Sequence, residues 1–209
     1  MKSKRYRGLI FLLLVFVFGI SITTCSSGTK LPRLASDAVI LAFGDSLTFG
    51  TGAEPSESYT AVLGKMIGRK VVNAGIPGEV TGEGLSRLPK VLDKVKPALM
   101  ILCHGGNDLL RRLNQQHAAQ NLRAMIRLAR ERQVSVVLVA VPSPGVSLSP
   151  PPIYREIATE FKIPLEEKTL AAVLADGSFK SDYIHPNAAG YHRMAETLAT
   201  LLKKSGAIE

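Results

Sequence analysis

A chain of 209 residues, 46% hydrophobic and 21% charged, has the composition of one globular domain rather than of a repeat or low-complexity protein. Its formal net charge is +9, but the charges are mixed along the sequence, without the basic run that a nucleic-acid-binding arm carries. We therefore expect one folded domain with a solvated basic surface and no nucleic-acid partner.

The first residues of the chain have the composition of an export signal. Four basic residues come first: Lys2, Lys4, Arg5 and Arg7. The stretch over residues 9–22 is nearly all apolar, and it is shorter than the roughly 20 residues that span a bilayer. Such a short core is typical of a signal peptide, which we predict over residues 1–24.

A cysteine follows this apolar core, in the order Ile22-Thr23-Thr24-Cys25. The pattern resembles a bacterial lipobox, in which the cysteine is lipidated and becomes the mature N-terminus, although a threonine replaces the usual Gly, Ala or Ser before it. We expect a lipoprotein-type signal with lipidation at Cys25, a tether over residues 25–37 and a domain over residues 38–204. The domain is then placed in the cell envelope, periplasmic or membrane-anchored. An uncleaved N-terminal anchor and a plain secreted form are the alternatives.

Strand-like and helix-like segments alternate along the rest of the chain. In order, they are a strand at 38–43, a helix at 56–67, a strand at 70–73, a helix at 81–95, a strand at 98–103, a helix at 115–132, a strand at 134–141, a helix at 153–161, a strand beginning at 163–165 and a helix at 186–203. Continuous apolar strands alternating with helices predict a mostly parallel five-stranded sheet covered on both faces. The functional site of such a sheet lies at the carboxyl ends of its strands.

Polar motifs follow the first three predicted strands directly. The first is GDSLT at residues 44–48, where glycine permits a sharp turn and Ser46 presents its hydroxyl at the strand end. The second is NAGIPG at residues 73–78, in which we interpret the Gly75 N–H as a donor to an oxyanion. The third is GGND at residues 105–108, where the neutral amide of Asn107 can donate to a developing alkoxide. Each motif alone is also compatible with an ordinary turn.

The fourth motif, DYIHPN at residues 182–187, opens the last predicted helix. A three-residue separation on a turn lets the Asp182 carboxylate reach the ring of His185. The aspartate then fixes the imidazole tautomer, and the histidine takes the proton of a serine hydroxyl. We interpret His104 as a strand-end residue without a chemical role and Cys103 as a small core residue. No Cys/His cluster has metal-ligand spacing, so we expect no metal and no cofactor.

Taken in order, GDSLT, NAGIPGEVT, GGND and DYIHPN resemble the signatures of the SGNH, or GDSL, hydrolase superfamily. The sequence is most similar to its bacterial arylesterase, acyl-CoA thioesterase and lysophospholipase branch. The resemblance implies a flavodoxin-like α/β fold, a three-layer α/β/α sandwich. It implies a triad of Ser46, Asp182 and His185. It also implies an oxyanion hole made by the N–H groups of Ser46 and Gly75 and the side chain of Asn107.

The loop over residues 142–152 contains five prolines and resembles no family signature. Because it leaves the fourth strand at the edge that carries the motifs, we expect it to wall the substrate pocket. Val146 and Leu148 are the predicted substrate contacts. A plain connector between a strand and a helix is the alternative.

These expectations describe a serine hydrolase that cleaves small-molecule or lipid carboxylic esters through an acyl-enzyme. Its N-terminal lipid anchor or signal segment is the predicted contact with a membrane. Two alternatives stay open, a carbohydrate O-acetylesterase and a catalytically inactive lipid-binding lipoprotein of the envelope. An α/β-hydrolase nucleophile elbow is not found, because Thr48 stands where the second glycine of G-x-S-x-G belongs.

Overall fold

The computed structural model describes residues 29–145 and 148–209, which form a parallel sheet flanked by helices. The strands are β1 (Ile40–Gly44), β2 (Val71–Gly75), β3 (Leu99–Cys103), β4 (Ser135–Val139) and β5 (Leu165–Glu166). Their order across the sheet is β2-β1-β3-β4-β5, and each of these pairs is parallel. This is the flavodoxin-like order, so the predicted α/β fold is confirmed.

Helices cover both faces of the sheet. Within the described residues they are α1 (Ser46–Phe49), α2 (Tyr59–Ile67), α3 (Thr81–Val95), α4 (Gly106–Leu110), α5 (Gln115–Glu131), α6 (Ile153–Phe161), α7 (Thr169–Ala175) and α8 (Ala188–Lys204). Helix α2 packs against α8 on one face, and α3 packs against α5 on the other. The central strands β1 and β3 are buried along their whole length, as apolar strands covered on both faces should be.

The strand register brings the ends of the first three strands to one level. Gly44 pairs with Gly75 of β2 on one side and with Cys103 of β3 on the other. A Cβ on Gly44 would lie 1.9 Å from the Cys103 carbonyl oxygen, so this close approach requires glycine. The segments that follow these strands therefore begin side by side, at an edge that we call the carboxyl edge.

The predicted elements are present with shifted ends, and three short helices, α1, α4 and α7, were not predicted from the sequence. Helices α1 and α4 have four and five residues, too few to show a helical period in the sequence. The prediction that Pro186 lies in the first turn of the last helix is wrong. Helix α8 begins at Ala188, because the Asn187 side chain accepts the Gly190 N–H and caps the helix after the proline.

The first described residues pack against the end of the chain. The N–H of Leu31 donates to the Ser205 carbonyl, and that of Leu34 donates to the Ala207 carbonyl. Part of the predicted tether thus belongs to the packed domain, at the end of the sheet opposite the carboxyl edge. The predicted signal peptide and Cys25 lie outside the described residues. Between residues 29 and 209, in the described ranges, no helix is long and apolar enough to cross a membrane.

Candidate active site

Ser46 is the first residue of α1, immediately after β1. The Asp45 carboxylate caps this short helix by accepting the Leu47 N–H at 3.1 Å. Because the chain turns from strand to helix at this point, the Ser46 side chain faces a cavity at the carboxyl edge. Burial raises the pKa of Asp45 above its usual range, although the nearby His104 acts in the opposite direction.

The structure brings Ser46 together with two residues that are far away in the sequence. The Ser46 Oγ lies 3.0 Å from the Nε2 of His185, and the Nδ1 of His185 lies 2.8 Å from the Oδ2 of Asp182. Since a carboxylate can only accept, Nδ1 carries the proton and Nε2 is left to accept from the serine hydroxyl. The imidazole is therefore oriented to remove the Ser46 proton.

The Asp182 carboxylate is held by a turn of its own backbone. Its Oδ1 accepts the N–H groups of Ile184 and His185 at 2.8 and 2.9 Å. Partial burial acts to raise the pKa of Asp182, but the hydrogen bonds from the His185 ring and these two amides outweigh it and hold the pKa below its usual value. The carboxylate stays ionised beside the imidazole, although its side chain is 51% exposed.

The structure places the Gly75 N–H differently from the prediction. This N–H donates to the Asn73 side-chain oxygen at 2.9 Å, so it is already bonded within its own turn. A Cβ on Gly75 would lie 2.1 Å from the Phe49 nitrogen, which shows that this glycine is needed for close packing against α1. The role as an oxyanion donor is therefore not supported for Gly75.

Three residues further on, Gly78 has a φ of +81°. It lies in a turn that is closed by a hydrogen bond from the Glu79 N–H to the Ile76 carbonyl. Among the described residues, no partner is found for the Gly78 N–H. The Gly78 carbonyl accepts from the Arg111 guanidinium at 2.7 Å. This hydrogen bond holds the turn against the end of α4. The Gly78 N–H therefore lies on the segment beside Asn107.

Asn107 lines the cavity together with Ser46. Its Nδ2 donates to the Glu79 carbonyl at 3.0 Å, which uses one of its two amide hydrogens and leaves the other available. The neighbouring Asp108 is bonded to both the N–H and the hydroxyl of Thr81, at 2.9 and 2.7 Å. Asp108 therefore caps the start of α3 across space and holds α4 in place for Asn107.

A buried charge cluster, which the sequence analysis did not identify, lies behind this turn. Glu79 accepts from the Arg87 guanidinium at 2.7 Å and lies 3.1 Å from the Nε2 of His104. Burial acts to raise the pKa of Glu79, but the hydrogen bonds from His104 and Arg87 outweigh it and lower that pKa. No sequence motif reveals this cluster, because its members are brought together only by the packing of α3 on the sheet.

The cavity beside Ser46 has a volume of about 360 Å³. Its wall is mainly apolar, and its apolar side chains are Leu47, Leu110, Val141, Pro142, Pro144, Leu148, Leu174, Tyr183 and Ile184. The proline-rich loop contributes Leu148 to this wall, at the position expected for it. Val146, the other predicted contact, lies outside the described residues.

The described residues contain no group of three or more His, Cys, Asp or Glu side chains arranged to hold a metal ion. Cys103 is fully buried in the core, and burial raises the pKa of its thiol well above the usual range. Its thiol is therefore a core group rather than a nucleophile.

Comparison with known proteins extends the resemblance over the whole domain. Residues 42–193 match the GDSL-like lipase/acylhydrolase family. Esterase TesA of Pseudomonas aeruginosa is 31% identical over 195 residues, which cover 86% of this chain and 94% of that protein. An Escherichia coli protein, thioesterase 1/protease 1/lysophospholipase L1, is 30% identical over 179 residues, 82% of this chain and 86% of that protein. The crystal structure of TesA matches with a TM-score of 0.72 at 30% identity, covering 80% of this chain and 99% of that one.

Proposed function

The chain belongs to the GDSL-like lipase/acylhydrolase family and is an SGNH-type carboxylic ester hydrolase, and from this premise we propose that Ser46, His185 and Asp182 are its catalytic triad. The observation that carries the proposal is the unbroken hydrogen-bond chain from the Ser46 Oγ through the His185 ring to Asp182. This arrangement pairs a nucleophile with a base and the base with an orienting carboxylate.

The reaction has two halves. In the first, the Nε2 of His185 takes the Ser46 proton while the Oγ attacks the ester carbonyl carbon. The tetrahedral intermediate collapses, the carbon–oxygen bond to the alcohol breaks, and His185 returns its proton to the leaving oxygen. In the second half, His185 deprotonates a water that attacks the Ser46 acyl-enzyme. The acid is released and the serine hydroxyl is restored.

The negative charge that develops on the carbonyl oxygen needs fixed donors. We propose the Ser46 N–H, the free amide hydrogen of Asn107 and the Gly78 N–H. Gly78 replaces Gly75 in this role, because the Gly75 N–H is bonded to Asn73 whereas no partner is found in the described residues for that of Gly78.

The Gly78 assignment is tested with two glycines that share a left-handed backbone. Gly78→Ala and Gly68→Ala introduce a similar strain, since the two residues have φ +81° and +62° and each lacks close steric neighbours. We expect similar small losses of Tm from both, but a lower kcat from Gly78→Ala alone, because alanine keeps the N–H but relaxes the strained φ of +81° and so turns that N–H away from the oxyanion. Equal kcat values for the two variants would remove Gly78 from the oxyanion hole.

The apolar cavity favours esters with an aliphatic or aromatic acyl group. A carbohydrate O-acetylesterase has only an acetyl group to place, which fills a small part of about 360 Å³. The name of the Escherichia coli relative, which includes lysophospholipase L1, agrees with longer acyl groups. We therefore expect kcat/KM for p-nitrophenyl esters to rise from acetate to longer acyl chains. A maximum at acetate would favour the O-acetylesterase.

The test of the nucleophile is labelling with a fluorophosphonate probe followed by peptide mapping. Ser46 should carry the label, Ser46→Ala should abolish labelling and hydrolysis together, and the exposed Ser86→Ala should change neither. Hydrolysis that persists in Ser46→Ala would contradict the proposal.

We propose further that residues 1–24 are an export signal and that Cys25 carries lipid, which places the domain over 38–204 in the cell envelope. The support is the sequence pattern, since these residues lie outside the described part. Cys25→Ser should release the protein from the membrane fraction or leave an uncleaved precursor. Identical soluble, cleaved species from wild type and variant would contradict lipidation.

A further inference from the structure

The large apolar side chains that remain exposed are concentrated around the cavity. In the described residues they are Phe49, Met66, Ile76, Leu110, Leu113 and Tyr183. All except Met66 lie on segments that follow β1, β2 or β3 or on the turn that carries Asp182 and His185. We call these five residues the apolar rim. Apolar residues scattered singly need no explanation, but a group around the mouth of a cavity marks a contact surface.

Contacts between these segments place them next to one another at the carboxyl edge. The Phe49 backbone lies against Gly75, next to Ile76, and the turn after Ile76 is bonded to the side chain of Arg111 through the Gly78 carbonyl. On either side of the cavity, Leu110 and Tyr183 line its wall. Tyr183 is 91% exposed, which is unusual for a tyrosine unless a partner covers it.

The rim carries positive charge on its Leu110–Leu113 side. Arg111 and Arg112 stand between these two leucines, and no carboxylate occurs from residue 109 to residue 130. Arg112 has φ +53°, a backbone conformation that only a few per cent of non-glycine residues adopt. Its side chain is exposed and has no hydrogen-bond or ion-pair partner among the described residues.

Within the described residues, no carboxylate forms an ion pair with Arg111 or Arg112. Asp108, on the same segment, is buried and bonded to Thr81, and Glu79 is buried and paired with Arg87 and His104. Exposed apolar side chains beside arginines without an ion-pair partner are the combination that binds an anionic lipid surface, in which the apolar groups insert and the cations meet the headgroups.

We propose that the apolar rim, with Arg111 and Arg112, docks on the surface of an anionic phospholipid bilayer and opens the cavity directly onto it. Esters that reside in the lipid layer then reach Ser46 without crossing water. This consequence for the substrate class rests on the proposed hydrolase function, whereas the docking itself does not require a reactive serine.

The absence of tryptophan from the sequence allows a local test. Leu113→Trp and Met66→Trp, each placed in the full chain with Ser46→Ala, give one reporter in the rim and one matched control, since the two native side chains are 44% and 40% exposed. The emission is followed as vesicles of equimolar phosphatidylglycerol and phosphatidylcholine, or of phosphatidylcholine alone, are added.

We expect the Leu113→Trp emission to shift to the blue and to be quenched by brominated acyl chains in the anionic vesicles only, with no change for Met66→Trp. Adding Arg112→Gln should weaken the partition about fivefold, the effect of one cation near an anionic surface. An unchanged Leu113→Trp emission, an equal response from Met66→Trp or an equal blue shift of Leu113→Trp with uncharged vesicles would overturn the proposal. A blue shift that grows with protein concentration without vesicles would assign the rim to self-association and overturn it also.

Measurements of hydrolysis distinguish membrane docking from the proposed catalytic function. With Ser46 present, Arg112→Gln should lower the rate on an ester embedded in anionic vesicles and leave that on water-soluble p-nitrophenyl acetate unchanged. Equal losses on both would show that Arg112 acts on the site and not on docking. If Ser46 were not the nucleophile, the vesicle titration in the Ser46→Ala background would still stand.

Discussion

Among the described residues, two histidines are hydrogen-bonded to a carboxylate, and the two pairs differ in what else touches the imidazole. In the pair of Asp182 and His185, one ring nitrogen meets the carboxylate and the other meets the Ser46 hydroxyl. In the pair of Glu79 and His104, Nε2 meets the carboxylate while Nδ1 accepts the Gly105 N–H at 2.9 Å. Both nitrogens of His104 are thus engaged inside the protein, and neither is available to a substrate.

The surroundings of the two carboxylates differ as well. Asp182 is 51% exposed and its turn lies at the cavity, whereas Glu79 is 5% exposed and also binds Arg87. The same two functional groups therefore support a proton transfer in one place and fix a backbone turn in the other. The second pair holds the Glu79 carbonyl, which in turn holds Asn107, so we regard Glu79 and His104 as positioning residues.

Removing each imidazole in turn tests most directly whether the two pairs have different roles. His185→Ala, like Ser46→Ala, should lower kcat about 10⁶-fold, as in triads that have been dissected. His104→Gln, which can still donate to Glu79, should retain most of the activity. The measurement is kcat on a p-nitrophenyl ester together with Tm. A comparable loss of kcat from His104→Gln, with Tm unchanged, would mean that the two pairs do not have different roles.

The buried pair should matter most for stability. Glu79→Gln leaves Arg87 without its counter-ion in a mostly buried position, and breaking such a pair costs about 3–5 kcal/mol. Urea unfolding should show this loss, whereas Glu131→Gln, at the exposed end of α5, should show none. A stability equal to wild type would mean that the Glu79 cluster does not hold the turn.

Asn107 connects the Glu79 cluster with the cavity beside Ser46. Asn107→Ala should lower kcat about 10²–10³-fold, because one donor of the oxyanion hole is lost. KM should change little, and fluorophosphonate should still label Ser46, although more slowly. Full activity in Asn107→Ala would remove this side chain from the oxyanion hole.

The smallest expected effect concerns the opposite pKa shifts of two carboxyls. The pKa of Glu79 is lowered from 4.5, so its contribution to stability is present above that pH and is lost as the pH falls through the folded-state value. The pKa of Asp45 is raised from 3.8, so its contribution is present below that pH and is lost as the pH rises through the folded-state value. Relative to wild type, Glu79→Gln should therefore become less stable, and Asp45→Asn more stable, as the pH rises. Unfolding free energies measured across acidic to neutral pH test these signs, and equal signs would contradict the assigned causes.

The motifs around Ser46, Asn107 and His185 could be predicted because each follows a strand or opens a helix at a recognisable place. Parallel strands end at one edge, so residues that follow them are neighbours regardless of their separation in the chain. Whether Gly75 or Gly78 supplies the oxyanion donor could not be predicted in this way. Both belong to one short motif, and only the observed bond between the Gly75 N–H and Asn73 distinguishes them.

The fold class, the order of its elements and the composition of the proposed triad could be predicted from the sequence, because apolar periodicity and strand-end motifs are local patterns. The folded structure was needed to show which amide remains free beside Ser46, that Glu79 is paired with both His104 and Arg87, and that five exposed apolar side chains lie on the segments around the cavity. Each of these depends on which groups from distant segments satisfy one another when α3 and α4 pack onto the sheet. Hydrogen bonds and burial of that kind are properties of the assembled chain, and no local pattern in the sequence encodes them.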